Sequence, residues 1–181
     1  MKDHYTKKSR KQGFKSRSVY KLKEINKKQS LIGSSDKVLD IGSYPGGWLQ
    51  YCSRVCSKVV GVDIREVETD LEFYKLDILK EDIFKVLKGK FDVVISDVSP
   101  KKTGVKSLDQ DKSVELNLRV LELLDFYLKK RGNFLMKVFQ GEGFEELLKE
   151  VKKRFEFVKV VKPKASKSGS KEVYVVGKNR K

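Results

Sequence analysis

Short runs rich in β-branched residues alternate along this chain with stretches whose apolar residues recur every three or four positions, and no other feature constrains the fold as tightly. Residues 38–41, 59–63, 73–77, 93–97 and 134–139 read as strands. Between them, helical spacing appears over 46–55, 79–88, 113–130 and 143–154, the third carrying Val114, Leu118, Leu121, Leu124 and Leu128. Strand and helix alternating in this way predict a parallel sheet covered by helices on both faces. Two later strands, 158–161 and 173–176, flank the polar stretch 162–171, which is too long to be a tight turn. Ahead of the sheet, Ser18 is placed to cap a helix with Val19, Leu22 and Ile25 on one face, ending near Gly33. There is no internal repeat and no linker, so the 181 residues predict a single α/β domain, long enough to bury about 70% of its unfolded surface.

Where the first strand ends, Asp40-Ile41-Gly42-Ser43-Tyr44-Pro45-Gly46-Gly47-Trp48 leads into a helix. Gly42, Gly46 and Gly47 let a ligand approach the main chain where a Cβ would clash. The loop has neither the Gly-Lys-Ser/Thr of a P-loop nor the G-x-G-x-x-G spacing of a dinucleotide site, so its ligand is expected to lack phosphates. Asp63 closes the second strand about 20 residues on, the position from which a carboxylate accepts hydrogen bonds from a ribose diol. Asp77, closing the third strand, is placed to reach an adenine amino group, and Asp97 closes the fourth. Any one such aspartate is as readily a turn cap as a ligand group. Four at successive strand ends beside a glycine-rich turn point to an adenosine-containing ligand.

Charge is concentrated at the ends. Residues 1–29 hold 11 Lys and Arg against 2 Asp and Glu, and 149–181 hold 12 against 3, whereas 30–148 hold 18 against 20. A near-neutral middle between two cationic segments suits a polyanion laid across one face, although solubilising tails have the same composition. No apolar run approaches the ~18 residues that span a bilayer, and the basic start has no apolar stretch of a leader, so a cytoplasmic protein is expected. Cys52 and Cys56 lie four apart without a second ligand pair, which predicts buried free thiols and no metal site. His4 falls in a start expected to fray.

The glycine loop, together with Ser96-Asp97-Val98-Ser99-Pro100, Lys137-Val138-Phe139-Gln140-Gly141-Glu142-Gly143-Phe144 and Ser168-Gly169-Ser170-Lys171-Glu172-Val173-Tyr174, resembles the motifs of the FtsJ/RrmJ family in the family's order, over nearly the whole chain. Members are S-adenosylmethionine-dependent ribose 2′-O-methyltransferases acting on RNA. The resemblance implies a Rossmann-like methyltransferase fold over residues 16–181, with seven strands, mostly parallel, the last antiparallel. Residues 1–15 are then a basic N-terminal extension. It further implies a catalytic tetrad of Lys21, Asp97, Lys137 and Glu172, and S-adenosylmethionine held by Asp40, Gly42, Pro45, Gly46, Gly47, Trp48, Asp63, Asp77 and Asp97. Two departures stand out. Tyr44 replaces a residue that is usually small, and Val98-Ser99-Pro100-Lys101 stands where bacterial ribosomal members read Met-Ala-Pro-Asn, which directs Lys101 toward phosphate.

The implied tetrad suits its chemistry. Methyl transfer from a sulfonium is an in-line displacement that must align a ribose oxygen and remove its proton. A lysine accepts that proton only in its neutral form, which burial and a second ammonium nearby favour. This casts Lys137 as base or orienter of the hydroxyl, Asp97 as its partner, and Lys21 and Glu172 as positioning groups. Out of context Lys21, Glu172, Trp48, Tyr20 and Tyr174 would be ordinary surface or core residues. Within the family, the segment from Lys137 to Phe144 is closer to the large-subunit ribosomal RNA branch than to the transfer RNA anticodon-loop branch. A uridine of ribosomal RNA is the expected target, in free RNA or the large subunit, acted on by a monomer. Transfer RNA is the alternative substrate, and a non-catalytic RNA-binding module is the alternative class. A small-molecule methyltransferase leaves the cationic ends unexplained.

Overall fold

The computed structural model describes residues 4–80, 83–100, 103–167 and 169–181, with Lys106 and Ser107 described in main chain only. Seven strands form one sheet: β1 Lys37–Ile41, β2 Lys58–Asp63, β3 Glu72–Lys75, β4 Phe91–Ser96, β5 Leu128–Phe139, β6 Phe155–Val161 and β7 Glu172–Arg180. Their order is β3-β2-β1-β4-β5-β7-β6. Only β7 runs antiparallel, wedged between β5 and β6. The fold class expected from the sequence is therefore the one observed. Because β1 pairs with β2 on one side and β4 on the other, the chain reverses its winding there, and a crevice opens at the carboxyl ends of β1 and β4.

Alternation along the strands sends successive residues to two cores. Leu39, Ile41, Val60, Val62, Val94 and Met136 pack against α5 (Lys106–Tyr127) and α6 (Phe144–Arg154). Val38, Val59, Val93, Ile95 and Leu135 pack on the opposite face against α2 (Val19–Gln29) and α3 (Gly47–Cys52). A fully buried stack of Phe134 on Phe155, ring centroids 5.6 Å apart, anchors the β5 end of the first core.

Several boundaries differ from the sequence expectation, for identifiable reasons. The third strand stops at Lys75, its last ladder bond running from Leu76 N–H to the Asp63 carbonyl, and Asp77 lies beyond it at the head of a turn in which its carbonyl accepts from Lys80 N–H. Within 79–88, of which 81 and 82 lie outside the described residues, the helix is a single turn, α4 Ile83–Val86, followed by Gly89 in the left-handed region. Helix α5 begins seven residues early, where Asp109 accepts from both Thr103 N–H and its hydroxyl. It ends at Tyr127 because Leu128 joins β4 at Phe91, and a register shift with Arg131 in the left-handed region then carries the chain into the rest of β5.

Ser18 does not cap α2 through its side chain, whose hydroxyl instead meets that of Ser16 at 2.7 Å. The helix ends at Gln29 because Ser30 turns left-handed and Asn26 Oδ1 takes the N–H groups of Leu31 and Ile32. The start does not fray within the described residues: His4 opens α1 (His4–Lys11), and Tyr20 donates its hydroxyl to Gln12 just beyond. Phe14, Val19, Tyr20 and Ala165 form a third, small core there. Cys52 is buried, with its thiol pushed well up by burial, but Cys56 is only partly covered. No helix among the described residues is long and apolar enough to cross a membrane.

Candidate active site

The face of the sheet that carries α2 and α3 also carries the candidate residues. Asp40 shares parity with Val38, Asp63 with Val59, and Lys137 with Leu135, so all three project to that side. On β7, Tyr174 lies directly opposite Lys137 and Glu172 opposite Phe139, which places both beside the lysine.

The glycine loop is tied between its neighbours. Gly42 N–H donates to the Val62 carbonyl, and Ser43 Oγ accepts from Val62 N–H while donating to the Asp40 carbonyl at 2.8 Å. Gly42 has φ +85°, and a Cβ there would lie 2.7 Å from the Val98 nitrogen. Glycine thus lets the loops after β1 and β4 touch. At Gly47 a Cβ would come within 2.3 Å of Ser16 Oγ, so that glycine admits the segment before α2 and not a ligand.

A cavity of about 250 Å³ opens at the carboxyl ends of β1, β2 and β4, lined by Gly42, Asp63 and Asp77 among the expected residues. Its walls also include Ile64, Ile78, Leu79, Val98 and Pro100, with Lys112, Glu115 and Leu116 from α5. Asp63 accepts the N–H groups of Tyr44 at 2.9 Å and Arg65 at 2.8 Å, and Asp77 accepts that of Leu79 at 3.0 Å. Each is thus a turn-former that also walls the cavity. The apolar walls had no sequence signal, since Ile64 and Leu79 look like ordinary residues of connecting segments.

Pro45, Gly46, Gly47 and Trp48 do not line this cavity. The Trp48 indole is buried against the second core, its N–H donated to the Ser18 carbonyl at 3.0 Å and its ring 6.1 Å from that of Tyr174. Any ligand contact at Trp48 has to come from its main chain.

Asp40 lies fully buried with no hydrogen bond of good geometry to either carboxylate oxygen, the nearby Ser43 hydroxyl donating to the Asp40 main-chain carbonyl. Burial, and then the nearby Asp97 and Asp63 carboxylates, hold its acid well above the usual carboxylate range, and Ser43 draws it down only slightly. An orphaned, buried carboxylate of this kind is uncommon and calls for a donor or a positive charge in its neighbourhood.

The four residues of the expected tetrad meet as two ion pairs joined by a tyrosine. Lys137 Nζ lies 3.1 Å from Asp97 Oδ1 and donates to the Asp97 main-chain carbonyl at 2.8 Å, almost entirely buried. Lys21 Nζ donates to Glu172 Oε1 at 2.6 Å, and Ser166 hydroxyl donates to the same oxygen at 3.0 Å. Lys21 therefore faces a carboxylate, with the Tyr174 ring 5.7 Å away, in place of acting only as a like-charge neighbour. Tyr174 donates its hydroxyl to Asp97 Oδ1 at 3.2 Å, and burial followed by the Asp97 and Glu172 charges pushes that phenol well up, which keeps it a donor. An ammonium or amine nitrogen has three positions beyond its carbon. Among the described residues only the Asp97 carbonyl takes a hydrogen bond from Lys137, the Asp97 carboxylate standing beside it as an ion-pair partner, so the nitrogen keeps hydrogen-bonding capacity to spare.

Tyr174 and Ser166 were not singled out from sequence as site residues. The only trace of Tyr174 was its spacing of two from Glu172, which on a strand means a shared face. Lys101, expected to meet phosphate, lies outside the described residues, as does Ser168. Among the described residues no cluster of His, Cys, Asp and Glu is arranged to hold a metal ion.

The chain is similar to known proteins over nearly its whole length. The FtsJ-like methyltransferase model matches residues 14–180. A ribosomal RNA large subunit methyltransferase E of Methanosphaera stadtmanae is 38% identical over 190 residues, covering 98% of this chain and 92% of the relative. Its counterpart in Borrelia garinii subsp. bavariensis is 41% identical over 185 residues, covering 98% and 96%. Among solved structures, one described as a ribosomal RNA methyltransferase of Plasmodium falciparum superposes with a TM-score of 0.80 at 27% identity, covering 92% of this chain and 98% of that one.

Proposed function

The chain belongs to the FtsJ-like methyltransferase family, and on that premise we propose that it transfers a methyl group from S-adenosylmethionine to a ribose 2′-hydroxyl of large-subunit ribosomal RNA. The observation that carries this reading is the pairing of a neutral, self-satisfied Lys-Asp/Lys-Glu centre with a buried carboxylate, Asp40, that lacks a partner. Bound S-adenosylmethionine supplies an electrophilic methyl carbon on a sulfonium. Its two positive charges suit a crevice lined by Asp63 and Asp77, with the buried Asp40 acid one residue before the cavity wall at Ile41. Gly42, Asp63 and Asp77 hold the adenosine end, with Ile64, Ile78 and Leu79 as apolar walls. Asp40 and the main chain of Pro45, Gly46 and Trp48 serve the amino-acid end.

At the reaction centre Lys137 receives the 2′-hydroxyl at an open position on Nζ. With Lys137 as the neutral amine, its lone pair at that position, the hydroxyl proton would pass to Nζ as methyl transfer proceeds, and the Asp97 carboxylate beside it would balance the ammonium so formed. Asp97 fixes that nitrogen through two contacts, and Tyr174 fixes Asp97. Lys21 and Glu172, held by Ser166, border the position the ribose must enter. Preorganisation of this kind supplies alignment and proton transfer, the two requirements of the displacement.

Ribosomal RNA is favoured because the relatives that match nearly end to end are named for it. The test is incubation with labelled S-adenosylmethionine and, separately, large-subunit RNA, assembled subunits and transfer RNA, followed by mass mapping. A 2′-O-methylated uridine in large-subunit RNA is expected. Transfer only to transfer RNA, or to no RNA, would overturn the reading.

A further inference from the structure

Away from the reaction centre, three cations from three elements converge on a small aromatic core. Lys23 Nζ of α2 lies 4.3 Å from the Phe14 ring centroid and Arg54 Cζ, just after α3, lies 4.5 Å from it. Lys23 is also 5.7 Å from the Tyr20 ring and 5.9 Å from that of Tyr51, and Lys8 of α1 lies 5.1 Å from Tyr20. None of the three cations is in an ion pair among the described residues. The acid beside Lys23, Glu24, is already taken by Lys28 and by the Lys164 N–H.

The crowding has a measurable mark: burial, then Arg54, then Lys8 lower the Lys23 ammonium below the ordinary lysine value. Aromatic faces offset part of the repulsion, and an anion arriving among the three charges would remove the rest. Phe14 and Tyr20 are themselves buried, so their rings carry cations and are not free to stack on a base. Such a surface recognises backbone phosphate without reading sequence.

Its position gives it meaning. Lys21 and Lys23 are two residues apart on α2, about 200° around the helix, and they do point apart, one to Glu172 and the other to Phe14. The cation cluster is thus separated from the reaction centre by the thickness of a helix, about 10 Å. That is too far for the phosphates of a nucleotide whose ribose sits at Lys137. We propose that Lys8, Lys23 and Arg54 form a phosphate clamp for the RNA backbone flanking the target nucleotide, on the side of α2 remote from Lys21. The clamp rests on the reading of RNA as substrate, and it requires the RNA to cross α2.

The experiment combines Lys8→Gln, Lys23→Gln and Arg54→Gln in the full chain. A control of equal charge, Lys88→Gln, Lys90→Gln and Lys130→Gln, lies at the amino ends of β4 and β5. Affinity for a large-subunit RNA fragment and for polyuridylate of equal length is measured against salt, with S-adenosylmethionine affinity as the check that each variant is folded. The clamp variant should weaken both RNAs about tenfold or more and flatten the slope of log K against log salt by about 2, at ~0.7 per single-strand contact. The control should change affinity less than about twofold. Equal effects in the two variants would show a diffuse field and overturn the clamp, and loss on one RNA only would overturn its sequence independence. If the wild-type chain methylates no ribosomal RNA while the clamp variant still loses RNA affinity, the clamp stands and the proposed reaction falls.

Discussion

Two halves of one crevice treat their carboxylates in opposite ways. On the β5 and β7 side, Asp97 and Glu172 each hold a lysine, and Tyr174 and Ser166 take up further capacity. On the β1 and β2 side, Asp40 has no partner and Asp63 is met by main-chain N–H groups. A region complete in itself can receive a neutral group such as a hydroxyl without leaving a buried charge exposed. A region with surplus negative charge is complete only when a cation occupies it. The division matches the two reactants of a methyl transfer from a sulfonium to an alcohol, each met by the surroundings its charge requires.

The largest effect should come from breaking the complete half. Lys137→Ala removes the group proposed to meet the hydroxyl, and turnover should fall ~10²–10⁴-fold, while calorimetric titration should show S-adenosylmethionine still bound. Retention of a tenth of the rate would deny Lys137 its role.

Changing the surplus half should act on binding instead. Asp40→Asn keeps the shape and removes the charge, so S-adenosylmethionine affinity should drop by about 1.5–3 kcal/mol. Stability of the ligand-free protein should move the other way. Because folding raises the Asp40 value, its contribution is fully present below the unfolded carboxylate value and is lost as pH rises through the folded one. Urea denaturation from about pH 4 upward should show wild type losing stability that Asp40→Asn does not lose. Parallel curves would place a hidden partner on Asp40.

Asp63→Ala should weaken the cofactor by about 1–3 kcal/mol, with part of the loss arising from the released Tyr44 and Arg65 turn; unchanged affinity would leave Asp63 a turn residue alone. Smallest is Tyr174→Phe, which deletes one hydrogen bond to Asp97 and should lower kcat by about 0.5–1.5 kcal/mol without altering cofactor affinity. A change in affinity instead would mean that Tyr174 serves the other half.

Much of this was visible in the amino-acid order, because strands and their terminal aspartates announce themselves locally. The runs around Leu39, Val60, Val94 and Leu135 were read as strands, and Asp40, Asp63 and Asp97 follow from where those runs end. What escaped the sequence depends on distant partners. Helix α1 is polar along its length, and it is followed by Phe14, whose burial depends on Tyr20 and Ala165. The indole of Trp48 was carried to the ligand by resemblance, yet Ser18 and Tyr174 claim it. The missing partner of Asp40 is likewise a property of everything packed round it and of no residue beside it in the chain.

The wedging of β7 between β5 and β6 also sets a schedule for maturation. During vectorial synthesis the residues that wall the cavity, Ile41 to Leu116, emerge well before Glu172 and Tyr174, which belong to the last strand among the described residues. That strand must enter between two already synthesised neighbours, pairing with residues as far back as Phe134. Such non-local closure is slow relative to local folding. On the proposed roles, the reaction centre is therefore complete only after Glu172–Arg180 has been made and inserted.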